Sequence, residues 1–225
     1  MNKQVKKYLT LLLILLVPGI AIIFFSKGDS TFVALDYFGE YQTIERTVNG
    51  KNVVDSIPYQ VPHHTFNNHL GDIIDTKDLE GKTLVINFFP EKSHLWQIQQ
   101  EFKNVEDVVM ISFTANEKYS DPEQLKILAN KSQAIEGKWH FVLSDRKETL
   151  SLAHDYYFSA MLKNDRIEEL LDTETALIVD KNRNIRGVYD ISFSDEIGRL
   201  NDEIKLVIKE HFLRTRRENQ TTSNK

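Results

Sequence analysis

The chain has 225 residues, with 28 Lys or Arg against 33 Asp or Glu, 41% hydrophobic residues and no cysteine. Taking the four lysines up to Lys27 off the 28 basic residues leaves 24 against 33 acidic ones, a net charge of minus nine beyond Lys27 that suits nucleic acid poorly. Zero cysteines exclude thiol–disulfide exchange, thiol peroxidase chemistry, a cysteine nucleophile and a lipid-bearing N-terminal cysteine.

Residues 8–25 form an uncharged, mostly apolar run, preceded by Lys3, Lys6 and Lys7 and followed by Ser26, Lys27, Gly28 and Asp29. About 18 residues at 1.5 Å rise come close to the hydrocarbon thickness of a bilayer, so residues 1–27 read as one N-terminal transmembrane signal-anchor. The run is long for a cleaved signal peptide, and no small-x-small site follows it before Ser26. The lysine bias puts the N-terminus in the cytoplasm and the C-terminal domain on the outer, periplasmic side. Pro18-Gly19 would kink the span, which a membrane tolerates.

Residues 28–57 scatter Phe32, Tyr37, Phe38 and Tyr41 without a sustained period and read as a tether. A globular domain is expected over residues 58–213. It opens with a hairpin: a short strand in residues 60–67, a turn at 68–72, and a second strand at Ile73-Ile74. Residues 83–89 are an apolar, β-branched central strand that stops at Pro90; the chain turns through Glu91-Lys92 and restarts as a helix over 93–103. Leu95, Ile98 and Phe102 share one face of that helix, and Ser93 is placed to cap it. A buried parallel strand follows in 105–113, then a helix that Asp121 caps with Pro122 in its first turn, running to about residue 132. Residues 139–143 read as a strand, 147–156 as a helix, and 174–179 with 185–189 as an antiparallel pair around a 181–184 turn. The final helix starts near Ser194-Asp195 with Ile197, Leu200, Ile204, Val207 and Ile208 on one side. The tail, residues 214–225, is polar and reads as disordered. The order predicts an α/β thioredoxin-like fold: a central mixed sheet flanked by helices, with an N-terminal β-hairpin.

The segment at 78–89, ISFTANEKYSDPEQL at 111–125, KWHF at 138–141 and IVDKNRNIRGVYD at 178–190 resemble, in order and spacing, the Sco/SenC family. These are membrane-anchored thioredoxin-fold proteins that deliver copper during assembly of cytochrome c oxidase. The resemblance implies a copper site made of a Cys-x-x-x-Cys pair after the central strand and a histidine before the last hairpin. In this chain those positions become Ser93, Gln97 and Asp172, so no thiolate is there for soft Cu(I). The expectation is a redox-inactive accessory of oxidase or copper-protein assembly, not an enzyme, needing no cofactor, with a membrane or periplasmic partner protein.

Among the remaining polar groups, His94 is the best candidate at the corner, although an adjacent Ser-His pair is not a catalytic pair. His63, His64 and His69, with Asp72 nearby, offer an alternative: Cu(II) or Zn(II) held by imidazole nitrogens and carboxylate. His63 and His64 point to opposite faces of a strand, which works against that set. The acidic residues between Asp165 and Glu174 read as a solvated loop.

Overall fold

A computed structural model describes residues 4–8, 13–14, 16–18, 34–48, 50–88, 94–114, 116–119, 121–153 and 174–223. The chain divides into two units, Met1–Val33 and Ala34–Lys225. In the first, residues 4–8, 13–14 and 16–18 are helical. Most of the apolar run at 8–25 lies outside the described residues, and among those described no helix is long and apolar enough to cross a membrane.

The second unit is built on a five-stranded sheet. Its centre is β5 (Thr83–Phe88), flanked in parallel by β6 (Val108–Phe113) and antiparallel by β8 (Thr175–Val179). Outside these lie β7 (Trp139–Val142), parallel to β6, and β9 (Ile185–Asp190), antiparallel to β8, giving the order β7-β6-β5-β8-β9. All six residues of β5 and of β6 are buried, which is why both read as largely apolar runs: each strand is covered on both faces.

The pleat sends Val85, Met110, Phe141 and Ile178 to one face, and Ile86, Ile111, Val142 and Leu177 to the other. Three helices cover the first face: α1 (Trp96–Phe102), α2 (Pro122–Lys131) and α4 (Ser194–Ser223), through Leu95, Ile98, Leu125, Leu128, Leu200 and Ile204. The second face is covered by Val61, Phe66, Ile74 and Leu79 together with Leu150, Leu152 and Ala153, at and just beyond α3 (Arg146–Leu152). The Asp121 carboxylate accepts from the Glu123 N–H, as expected, and Asp145 caps α3 in the same way through Glu148.

Three expectations need correction. The tether contains a regular hairpin, β1 (Gln42–Val48) with β2 (Lys51–Ile57), turning at Gly50 with φ +75. Its residues are largely exposed, Val54 by 66%, so no buried face imposed a period on its sequence. The N-terminal hairpin of the domain is shorter than read, β3 (Thr65–Asn67) with β4 (Ile73–Asp75). Finally, α4 runs straight through the polar tail to Ser223; Glu, Arg, Asn and Gln continue a helix once its first turns are docked.

Candidate functional site

The corner past β5 falls on residues 89–93, Ser93 among them, which lie outside the described residues. The chain re-emerges as a turn at His94-Leu95, and α1 begins at Trp96. The N-cap position is Leu95, helical in its own dihedrals and making no side-chain cap bond; Ser93, expected to cap this helix, lies outside the described residues. Leu95 is fully buried with Ile98 and Phe102, which anchors the first turn on the core. His94 and Gln97 share that turn, the Gln97 N–H donating to the His94 carbonyl at 3.0 Å, and both side chains face solvent beside a half-exposed Trp96. Among the described residues the His94 imidazole has no hydrogen bond or ion pair, so no carboxylate orients it for base catalysis. Asp172 also lies outside the described residues.

Two polar groups beneath the corner were not singled out from sequence. Asn87 is wholly buried on β5; its Oδ1 accepts from the Ser112 hydroxyl, whose oxygen accepts from Trp139 Nε1 at 2.7 Å. Among the described residues the Asn87 Nδ2 has no partner. Gln99, buried on α1, donates to the Gln133 carbonyl at 2.8 Å and accepts from the Ile135 N–H at 2.7 Å, holding the loop after α2 against α1. A polar residue inside an apolar helix face, as Gln99 is between Ile98 and Phe102, was the available signal.

The three clustered histidines are not brought together. His63 Nε2 pairs with Glu80 at 3.0 Å. His64 lies against the rings of Phe66 and Phe113, its pKa lowered by burial. His69 turns to the sheet edge, where its Nδ1 accepts from the Phe141 N–H at 3.2 Å, and burial lowers it as well. Its neighbour there is His140, also lowered by burial, whose Nδ1 faces the Asn68 amide nitrogen at 3.3 Å. Asn68 Oδ1 accepts from both the Leu70 and Asp72 N–H groups, which fixes its amide nitrogen toward His140. Among the described residues no group of three or more His, Asp or Glu is placed to hold a metal ion.

The best-built polar centre lies at the other end of the sheet. The register of β8 against β9 shifts between Ile178 and Val179: Ile178 pairs with Gly187 and Val179 with Ile185, leaving Arg186 without a cross-strand partner. This bulge turns Arg186 inward. Only 3% exposed, it bonds Asp180 at 3.1 Å, Glu210 of α4 at 2.7 Å and the Leu35 carbonyl at 2.7 Å, and stacks on the Tyr37 ring. Burial works against its charge, but the bonds to Glu210 and Asp180 outweigh it and raise its pKa. In the turn before it, Asp180 Oδ1 accepts from the N–H groups of Asn182 and Asn184. Arg183, in the left-handed region at φ 66, reaches back to the Val61 carbonyl.

No family model matches the chain, and no curated protein matches it. Solved structures do. BsSco, a member of the Sco family of cytochrome c oxidase assembly proteins, superposes with a TM-score of 0.52 at 20% identity, over 66% of this chain and 94% of its own. A SCO1/SenC family lipoprotein from Bacillus anthracis gives 0.51 at 21% identity, over 66% and 95%. The fold is the thioredoxin-like fold of the Sco/SenC proteins. It is shared more widely: a protein from Bacteroides thetaiotaomicron named for disulfide isomerase activity gives 0.52 at 14% identity over 81% of this chain and 99% of its own. In this Sco-like frame the corner after β5 holds Gln97 facing solvent and no thiol. Serine, glutamine and aspartate are oxygen donors, a set that does not fit soft Cu(I).

Proposed function

We propose that the chain is a membrane-anchored, Sco/SenC-like accessory protein that takes part in cytochrome oxidase or copper-protein assembly without thiol redox chemistry or a copper cargo of its own. The observation that carries this reading is the Sco-like fold joined to a complete absence of cysteine. A fold kept around a corner without thiols supports a role in holding or positioning another protein. The apolar run at 8–25 supplies the anchor, with the domain on the outer side of the membrane.

The test is crosslinking of the full chain in intact membranes, using a photoreactive residue at His94 or Trp96, followed by identification of what is captured. Oxidase subunits or copper-handling proteins are expected, and loss of the protein should lower assembled oxidase. Capture of proteins unrelated to either would overturn the reading.

A further inference from the structure

The molecule closes the edges of its main sheet. Along β7, the His69 N–H donates to the Phe141 carbonyl and the Leu143 N–H to the Asn67 carbonyl, each at 2.8 Å. Along β9, Phe38 pairs with Ile185, and Arg199 reaches the Val188 carbonyl at 3.0 Å. The β1–β2 hairpin has no such cover: among the described residues no third strand pairs with either of its strands. An open edge offers unpaired N–H and C=O groups to another strand, and a two-stranded hairpin alone is only marginally stable in water.

The register says which edge is built for pairing and with what. Val48 pairs with Lys51 across a two-residue connection, so Lys51, Val53 and Asp55 exchange hydrogen bonds with β1, and the backbone of Asn52 and Val54 faces outward. The Ser56 N–H follows the same alternation, bonding the Asp55 carboxylate at 2.9 Å and not β1. Lys51, Val53 and Asp55 put their side chains on one face. Val53 is 44% exposed, and Lys51 has no ion pair among the described residues.

A second β2 can be laid antiparallel on this edge with the two-fold axis at Val53. Asn52 and Val54 then bond each other's backbones across the join, Val53 meets its counterpart, and each Lys51 stands opposite Asp55 of the second copy. Asp55 already accepts from Arg46 and Ser56, and a carboxylate has lone pairs left for a third donor. Other axes fit worse. One at Val54 sets Val53 against Asp55 and Lys51 against Ile57; on β1, an axis at Glu45 or Arg46 sets like charges face to face.

We propose that β2 pairs antiparallel with β2 of a second copy of this chain, joining the two hairpins into one continuous sheet. The pairing is independent of the membrane and assembly reading above. Because the chain has no cysteine, single introduced thiols report it directly. The full chain is oxidised with diamide in the cell lysate and after purification in detergent. Val53→Cys should crosslink to itself, since a pair of this kind brings its Cα atoms to about 4.5 Å. Val54→Cys, set opposite Asn52, should not.

In sedimentation equilibrium, Lys51→Glu should weaken the dimer by at least about tenfold, as should Asp55→Lys made together with Arg46→Gln. Mixing the two variants should restore it, because each then faces its opposite charge. These are surface positions of the hairpin, so the variants keep the domain fold. A chain that stays monomeric, or a dimer that both charge variants leave unchanged, overturns the proposal. So does crosslinking at position 54 in place of 53, or a Val53→Cys chain that joins only a different protein in the lysate.

Discussion

At the scale of single residues, Arg186 carries more of the architecture than any group at the corner. Replacing it with Ala leaves Asp180 buried without its cation and half-buried Glu210 with only Arg214 at 3.4 Å, and a loss of about 3–5 kcal/mol is expected in urea denaturation. Lys should not restore it, because one ammonium cannot reproduce the planar fork that meets Asp180, Glu210 and a backbone carbonyl together. Next to it, Gly187 leaves room for the Tyr189 side chain: an added Cβ would lie 2.0 Å from the Tyr189 hydroxyl. Gly187→Ala should therefore displace the ring, break its 2.5 Å bond to Glu203 and cost about 1–3 kcal/mol by thermal melting. Arg186 was not legible in IVDKNRNIRGVYD, because a residue between Ile185 and Gly187 in an alternating strand reads as outward-facing. Only the bulge reverses that.

At the scale of elements, the β3–β4 hairpin is held to the sheet edge by bonds that require neutral histidines. The Phe141 N–H donates to His69, and the Asn68 amide donates to His140, so each ring offers a lone pair at Nδ1. Burial lowers both pKa values below the usual 6.5; Asp72 opposes this at both rings, while Lys126 adds to it at His69 and Lys82 at His140. The unfolded chain then binds protons first as pH falls. Stability is full above about pH 6.5 and declines below it, and the urea midpoint should drop between about pH 8 and about pH 5. Replacing both rings with Phe should flatten that slope.

The β1–β2 hairpin makes the opposite prediction. It buries little of itself, so exchanging residues 42–57 for a short flexible linker should move the unfolding free energy by less than about 1 kcal/mol. The same difference explains what could be read beforehand. The strands β5, β6 and β7 announced themselves because both faces are packed, and Asp121-Pro122 marked a helix start. The exposed hairpin and the polar end of α4 left no hydrophobic trace to follow.

At the scale of the molecule, the Sco-like layout was legible because its landmarks are long-range in order yet local in chemistry: an apolar strand, a capped helix, a hairpin turn of Asp and Asn. The site was less so. Sequence put His63, His64 and His69 within one short stretch, but the fold sends them to Glu80, to Phe66 and Phe113, and to the β7 edge. Titration of the full chain in detergent with Cu(II) or Zn(II) should accordingly show no tight binding that depends on these three, as judged by comparing the wild type with a triple His→Ala variant in calorimetry.

The Arg186 staple also decides how the molecule bears a load. Residues 35 and 36 hang from Arg186 by their carbonyls, Tyr37 from Arg214, and Phe38 pairs with Ile185. A pull applied at residue 35 is therefore taken up by β9 and α4, an outer strand of the sheet and the last helix. The β1–β2 hairpin, next along the chain, stays slack. The central strand β5 stands two places in from β9, with β8 between them, so a pull at residue 35 meets the Arg186 clamp first.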